Sequence, residues 1–292
     1  MLTRPSKERD GLCIASLPAD CQYLVMADPR PGNATLTVMP ASPGWIATAR
    51  IYHAILAAIG TLAVATDLIM VATEDQNGSW FNGVLFMLSA LTIWANILVA
   101  IVAWSLVINP HRDGRIFRWL RMTTLVMIFI VGLVFDLVLA KEATPCGVYV
   151  YTNLAVHYIV PWGTLLGFLI FGPRPRFTAD LIWKMPLIPT IWLAYTFAHG
   201  AVLTTPPGQP CAANPAARVL GQPQNWYPYP FVDPDYNGTG EPISLVPGVS
   251  AEGFAGVAVN LAAIIAVGLL VSWAFLGLDR ALSRGKRPIQ GV

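Results

Sequence analysis

Long apolar runs separated by short polar segments make up the chain from about residue 46 onwards. A helix needs about 20 mostly apolar residues to cross a bilayer. Six runs come close to this length, so the pattern predicts six transmembrane helices. We place these spans at about 46–71, 81–107, 119–140, 149–171, 185–203 and 251–278.

Polar residues recur along one face of two of these helices, the second and the fourth. Their spacings of three and four residues stack side chains on one side of a helix. Because the rest of each helix is apolar, we expect the two polar faces to meet. The two sets are Ser89, Thr92 and Asn96, and Asn153, His157, Pro161 and Thr164.

Composition supports a membrane protein and excludes other classes. The hydrophobic fraction is 55% and the charged fraction 12%, whereas soluble domains carry about 25% charged residues. The formal net charge is only +2, and no basic stripe alternates with aromatic residues, so we expect no nucleic-acid partner. The fold class is therefore all-α, a polytopic membrane protein with six transmembrane helices.

The chain divides into a tail, one membrane domain and a second tail. Residues 1–45 are polar, rich in Pro, Ser and Asp, and we predict a disordered cytoplasmic N-terminal tail. Residues 46–278 form the six-helix transmembrane domain, which includes a long Pro- and Gly-rich external loop, 204–250. Residues 279–292 form a basic cytoplasmic tail.

The distribution of Lys and Arg predicts the orientation of the spans. An even number of spans leaves both termini on one side, and cytoplasmic loops carry the excess of positive residues. The loops on the same side as the two termini carry most of the Lys and Arg residues, whereas the opposite loops carry few, such as Lys141 and Arg218. We therefore expect both termini in the cytoplasm. The positive residues of this side are Arg112, Arg115, Arg118, Arg121, Arg174, Arg176, Lys184, Arg280, Arg284, Lys286 and Arg287.

Ionisable side chains inside a membrane are costly, so each needs a partner or a task. This topology places Thr92 about eleven residues and His157 about eight residues into their spans, or roughly 16 and 12 Å from the outer surface. Both therefore lie at similar depth in the outer half of the bilayer. Asp67, Asp136 and His199 lie near the outer ends of their own spans.

Thr92 and His157 suit nucleophilic catalysis. A Thr hydroxyl becomes a nucleophile when a base removes its proton, and His is the usual base near neutral pH. A third group should orient the imidazole, and Asp136 and Asn96 are the candidates.

Other interpretations of these residues stay open at this point. A hydroxyl inside a helix commonly bonds to a carbonyl one turn back, and an Asn commonly holds two helices together. His157 would then make a structural hydrogen bond. Haem ligation by His157 and His199, or a metal site formed by both with a carboxylate, ranks lower because no motif such as H-E-x-x-H supports it.

The external segments contain two further candidate features, a pair of cysteines and a cluster of aromatic residues. Cys146 and Cys211 lie in external loops and could form a disulfide, or stay unlinked. The long loop carries an aromatic and proline cluster that resists helix and strand, and suits a rigid lid or an anchor at the membrane surface. Its residues are Trp226, Tyr227, Pro228, Tyr229, Pro230 and Phe231.

Three short motifs resemble the androgen-induced-protein family, and more closely its bacterial six-span relatives. They are Leu91–Leu98, Leu154–Pro161 and Trp226–Phe231. Animal members of this family are threonine hydrolases that cleave fatty acid esters of hydroxy fatty acids. The resemblance implies that Thr92 is the catalytic Thr and His157 the catalytic His. The bacterial pattern has Ser directly before the Asn of the first motif, where this chain has Ala95.

The sequence therefore predicts an integral membrane protein of the bacterial inner (plasma) membrane that hydrolyses a lipid ester through an acyl-Thr92 intermediate. We expect Asn96 to position the Thr hydroxyl or bind the oxyanion, and we expect no cofactor. The partners are membrane lipids and the ester substrate. The alternative is a lipid-binding protein without catalytic activity or a subunit of a membrane complex; a transporter ranks lower because neither inverted repeats nor broken helices are predicted.

Overall fold

The computed structural model describes residues 23–27, 36–40, 43–73, 80–141, 143–172, 176–202, 227–234, 244–249 and 251–283. Within these ranges, six helical segments are long and apolar enough to cross a membrane. The membrane part of the described chain is therefore helical, as predicted. The α-helices are α1 (Pro43–Thr73), α2 (Trp80–Ser89), α3 (Leu91–Ile108), α4 (Arg115–Val134), α5 (Tyr149–Leu154), α6 (Val160–Phe171), α7 (Asp180–Lys184), α8 (Leu187–Val202) and α9 (Gly253–Ala281).

Helix α4 lies at the centre of the bundle. It packs on α3, α6 and α9, and its side chains Met122, Val126 and Ile128 are completely buried. Burial of such side chains against neighbouring helices provides the van der Waals contacts on which helix association in a membrane depends. The outer faces of α1 and α9 keep many large apolar side chains exposed, including Leu62 and Leu270, as expected for surfaces that face lipid.

One strand pair precedes the first membrane helix. β1 (Tyr23–Ala27) pairs antiparallel with β2 (Leu36–Pro40), with Val25 opposite Val38. These ten residues lie within the N-terminal tail predicted at 1–45. They form two short apolar runs with β-branched residues, and the sequence between them contains Pro, Gly and Asn, which is a common hairpin pattern.

The second predicted span consists of two helices. α2 ends at Ser89, α3 begins at Leu91, and Ala90 between them has an extended backbone with φ −80° and ψ 122°. The continuous helix predicted over 81–107 is thus interrupted, and Ser89 and Thr92 do not share one helix. Locally, the Ser89 hydroxyl donates to the Phe86 carbonyl at 2.5 Å, a side-chain bond that competes with helical pairing.

Side chains satisfy the carbonyl groups that the break leaves at the end of α2. The Trp192 indole N–H donates to the Ser89 carbonyl at 2.8 Å, and the Thr196 hydroxyl donates to the same oxygen at 3.3 Å. Trp192 and Thr196 are four residues apart and therefore lie on one face of α8. Two further donors act on earlier carbonyls: Tyr195 on Leu85 (2.7 Å) and Trp94 on Leu88 (2.7 Å).

The α-helix of the fourth span is interrupted in its middle by a wider turn. A π-helical turn, Ala155–Ile159, joins α5 to α6 and contains His157. Pro161 lies two residues after this turn, and it has no N–H to donate to the carbonyl of His157, four residues earlier. A π-turn beside such a position is common at functional sites. Gly132 of α4 lets the two helices approach closely, because a Cβ there would lie 3.2 Å from the Pro161 side chain.

The segments rich in Lys and Arg, which are predicted to lie on one side of the membrane, meet at one end of the bundle. Arg118 forms two hydrogen bonds with Asp113, both 2.7 Å, and Arg176 forms an ion pair with the same carboxylate. At the end of α9, Asp279 accepts the backbone N–H groups of Arg176 (2.7 Å) and Phe177 (2.9 Å). These contacts agree with a common side for the loops after α3 and α6 and for the end of α9.

The part of the long loop that carries the aromatic and proline cluster, here called the aromatic loop, packs against the opposite end of the bundle. Asn260 of α9 donates to the Phe231 carbonyl at 3.0 Å, and its side-chain oxygen accepts the Leu245 N–H at 2.7 Å. Tyr227 and Phe231 are buried in one apolar cluster that includes side chains of α4, α8 and α9. The described part of the loop, residues 227–234, is therefore fixed to the helices; Trp226 lies outside the described residues.

Cys146 is disulfide-bonded. It lies in the connection between α4 and α5, where the sequence predicts one half of a loop disulfide. The predicted partner, Cys211, lies outside the described residues, as does most of the predicted loop 204–250.

We expect Gly200→Ala to lower the stability of the protein by about 1–3 kcal/mol, the usual cost of overpacking. A Cβ at position 200 would lie 2.6 Å from the Tyr227 ring. Gly277→Ala in α9 is the matched control, because a Cβ there meets no atom within 4 Å, and Ala favours a helix over Gly. Thermal unfolding in detergent measures both variants. Equal unfolding midpoints would contradict the packing of Tyr227 on α8.

Candidate functional site

Thr92 lies in the first turn of α3, directly after the break at Ala90. Its side chain is buried, with 9% of its surface exposed. The break therefore places this hydroxyl at the N-terminal end of a membrane helix, although the sequence predicts a position in the middle of one. A helix N-terminus carries a partial positive charge, which favours negative charge that develops nearby.

His157 contacts Thr92 through one ring nitrogen and the backbone through the other. His157 Nε2 lies 3.4 Å from Thr92 Oγ1, and His157 Nδ1 lies 3.2 Å from the Asn153 carbonyl oxygen. A carbonyl can only accept a hydrogen bond, so Nδ1 carries the proton and Nε2 is left as the acceptor. This tautomer allows the Thr92 hydroxyl to donate to His157.

The imidazole of His157 is held in place by an aromatic ring. Phe135 stacks on it with ring centroids 3.7 Å apart and an angle of 13° between the planes. Phe135 begins a π-helical turn, Phe135–Leu139, at the end of α4. Phe135 lies three residues after Gly132, the position at which α4 is in close contact with Pro161. The same face of α4 therefore approaches the fourth span and orients His157.

Asn96 supports the backbone around the site. Within the described structure, its side chain makes no hydrogen bond to the Thr92 hydroxyl. Its side-chain amide donates to the Thr92 carbonyl at 2.8 Å and to the Val156 carbonyl at 3.1 Å. Both amide hydrogens are therefore used, and the residue joins α3 to the turn that carries His157. Asn96 is completely buried, and its oxygen has no hydrogen-bond partner among the described residues.

The other predicted polar residues lie in separate contacts. The Tyr158 hydroxyl donates to Asp136 at 3.3 Å, so this carboxylate is exposed beside Tyr158 and not bonded to the His157 imidazole. His199 is buried in α8 and stacks on Tyr195, with centroids 5.4 Å apart. Within the described ranges, no three His, Cys, Asp or Glu side chains are grouped so that they could hold a metal ion.

The aromatic loop packs beside the helix break through Tyr229. Trp192, whose indole donates to the Ser89 carbonyl, is the neighbour of Tyr229 on the side of the break. The Tyr229 ring stacks on Phe231 with centroids 5.1 Å apart and lies 6.2 Å from Trp192. The sequence suggests a lid from composition alone; the packing of Tyr229 beside Trp192 is not visible in it.

The cavities of the described structure lie away from Thr92 and His157. Two adjoining ones share His53, Leu106 and Arg121, which lie toward the end where the basic segments meet. Neither is lined by Thr92 or His157. His53 lines both of these cavities and is not part of the candidate site.

Taken as chemistry, the site contains a hydroxyl, an imidazole in the tautomer of a base, and a backbone carbonyl that orients it. The same three kinds of group, with a carboxylate in the place of this carbonyl, form the catalytic triads of hydrolases. The O–N distance of 3.4 Å is longer than a strong hydrogen bond, which is common before a substrate tightens such a pair.

We expect Asn96→Leu to destabilise the protein by about 1–3 kcal/mol, because the buried carbonyls of Thr92 and Val156 would lose their donor. Asn96→Asp should be worse, since its carboxylate would face two carbonyl oxygens. Thermal unfolding in detergent gives the order wild type, Leu variant, Asp variant. An Asn96→Leu protein as stable as the wild type would contradict the bridging role.

Comparison with known proteins assigns no family to the chain. No family model, curated protein or solved structure matches it. The similarity of its motifs to the androgen-induced-protein family therefore stays an expectation from sequence, and the function of the site is argued from its geometry.

Proposed function

We propose that this protein is an integral membrane hydrolase of lipid esters, with Thr92 as nucleophile and His157 as general base. The observation that carries the proposal is the pair of contacts at His157. Nδ1 faces a carbonyl, so Nε2 is a proton acceptor, and the acceptor lies 3.4 Å from the Thr92 hydroxyl. A Thr hydroxyl needs such an acceptor to become reactive.

The reaction divides into two steps. Thr92 Oγ1 attacks the ester carbonyl carbon while its proton moves to His157 Nε2. The tetrahedral intermediate expels the alcohol, which takes the proton from His157, and an acyl-Thr92 ester remains. A water molecule then gives a proton to His157 and attacks this ester; the acid leaves, and the proton returns to Thr92.

The surroundings of the pair favour an apolar substrate. Thr92 is buried near the start of a membrane helix, and His157 is covered on one face by the Phe135 ring. A site within apolar helices is reached most readily by a molecule that dissolves in the bilayer. The resemblance of Leu91–Leu98 and Leu154–Pro161 to threonine hydrolases agrees with a fatty acyl ester as its class.

We place the site in the outer half of the bilayer of a bacterial inner membrane, with both termini in the cytoplasm. The support is the excess of Lys and Arg in the loops after α3 and α6 and after α9. Thr92 starts α3 and the basic loop follows its end, so site and basic loop lie at opposite ends of that helix.

Labelling with a fluorophosphonate probe tests the proposal. We expect Thr92→Ala and His157→Ala to slow labelling of the purified protein by on the order of 10³-fold or more, while Thr92→Ser keeps a nucleophile and stays reactive. Thr124→Ala is the matched control, because this buried hydroxyl bonds to the Leu120 carbonyl. His53→Ala is the control for loss of a buried His.

Equal labelling of the wild type and both folded Ala variants would contradict the proposal. A folded wild type that never reacts would leave the alternative of a lipid-binding membrane protein, in which Thr92 and His157 form a structural hydrogen bond.

A further inference from the structure

A group of basic side chains lies at the end of the bundle opposite the aromatic loop. Arg121 of α4 and His53 of α1 line both of the adjoining cavities at that end, and His111, in the turn after α3, lines one of them. Neither cavity is lined by Thr92 or His157. The basic group therefore lies apart from the proposed reaction.

Arg121 is a buried cation in a membrane helix. It lies six residues after Arg115, the first residue of α4, or roughly 9 Å along the helix, and only 6% of its surface is exposed. A charge in such a position is costly and usually serves a function. Its guanidinium lies over the Phe168 ring, 5.7 Å from the centroid, in a cation–π contact. The N–H donors of a guanidinium form a planar fork that matches the oxygen atoms of a phosphate.

His53 faces the same cavities from α1. Its side chain is buried, with 7% of its surface exposed. Its ring contacts are aromatic, with Tyr52 at 5.7 Å and Phe171 at 6.0 Å between ring centroids. Among the residues that the structure describes, its ring nitrogens have no hydrogen-bond partner. Buried polar groups are nearly always hydrogen-bonded, so this imidazole at the wall of two cavities indicates a polar ligand.

Helix α6 brings His53 and Arg121 to one place. A Cβ at Gly167 would lie 3.4 Å from His53 Cε1, so His53 packs directly on this glycine. The next residue of α6, Phe168, carries the Arg121 guanidinium over its ring. Two successive positions of one helix therefore contact both basic side chains.

His111 completes a lining that is basic. Its backbone N–H donates to the Asn109 side-chain oxygen at 2.9 Å, which fixes the turn. Asp113, the carboxylate nearest to it in sequence, is bound by Arg118 and Arg176. Of the described residues that line the two cavities, none is Asp or Glu. The charge of the lining therefore favours an anion.

The cavity that includes His111 reaches the level of the lipid headgroups. α1 has 31 residues, or roughly 46 Å at 1.5 Å per residue, which exceeds a hydrocarbon layer of about 30 Å. Trp45, in the first turn of α1, lines this cavity and is 44% exposed. It packs on Phe171 with ring centroids 5.1 Å apart. Because Trp side chains prefer the headgroup level, the phosphate of a membrane lipid lies at the depth of this cavity.

The size of the cavities limits what can enter. Each has room for about one water-sized group. An oxygen atom of a phosphate is of this size, whereas an acyl chain must stay outside. The exposed apolar side chains of α1, such as Ile51 and Ile55, offer a surface for such chains.

We propose that Arg121, His53 and His111 bind the phosphate group of an anionic phospholipid from the leaflet at this end of the bundle. The guanidinium and the two imidazoles donate hydrogen bonds to the phosphate oxygens. Basic pockets between membrane helices on the cytoplasmic side are known to bind anionic headgroups, and this is the side that we place in the cytoplasm. A free phosphate ion offers the same oxygens without acyl chains, and the experiment distinguishes the two sources.

Native mass spectrometry of the detergent-purified protein, titrated with dioleoyl phosphatidylglycerol, tests this site. We expect one tightly bound lipid. Dioleoyl phosphatidylcholine should bind about tenfold more weakly, because its choline cation would face the basic lining. Arg121→Gln should weaken the binding of phosphatidylglycerol by on the order of 10–100-fold, since hydrogen bonds between charged groups are lost. Arg115→Gln is the matched control: it removes the same charge from an exposed position of the same helix, and we expect wild-type affinity.

Equal binding of the two lipids to the wild type, or wild-type affinity of a folded Arg121→Gln protein, would overturn the proposal. If Arg121→Gln does not fold, His111→Ala decides, because this residue lies in a turn outside the helices. We expect this variant to bind phosphatidylglycerol about 3–10-fold more weakly, the net effect of one hydrogen bond, and an unchanged affinity would refute the site. Inorganic phosphate that displaces the lipid at equal concentration would assign the site to a free anion and overturn the lipid as its occupant.

Discussion

The interruption of the second span at Ala90 is the constraint on which the rest of the site depends. Breaking a helix inside a membrane leaves backbone groups that lipid cannot satisfy, so neighbouring helices must supply partners. α8 does so with Trp192 and Thr196 on the Ser89 carbonyl. Trp192 also packs beside the Tyr229 ring of the aromatic loop, with ring centroids 6.2 Å apart. Trp192 of α8 thereby contacts both the break and the aromatic loop.

The fourth span contributes a second irregularity that faces the first. Pro161 and the π-turn before it set the register of His157, and Phe135 packs flat on the imidazole. The ring is oriented by a backbone carbonyl, which needs no buried charge. In an apolar interior this matters, because an ionised carboxylate in that place would be costly to desolvate. Asn96 ties the two irregular segments together by bridging the Thr92 and Val156 carbonyls.

Much of this arrangement follows from the sequence, and the remainder has identifiable physical reasons. Hydropathy predicts the six spans, and helical spacing with topology brings Thr92 and His157 to one depth. The break at Ala90 is not predicted, because the apolar pattern continues through it and its stabilising donors come from α8, about a hundred residues later. Asn96 is assigned to the hydroxyl or oxyanion from its spacing, yet its amide bonds to carbonyls. The contacts of Tyr229 with Trp192 and Phe231 depend on tertiary packing that periodicity does not encode.

The most direct test of the central claim is to identify the residue that reacts. The purified wild-type protein would be treated with a fluorophosphonate, digested and analysed by mass spectrometry. Our account predicts a single adduct on the Thr92 side chain, formed faster when the lipid-ester site is empty than when a competing ester is present. An adduct on a different residue of the folded protein, unaffected by a competing ester, would contradict Thr92 as the nucleophile.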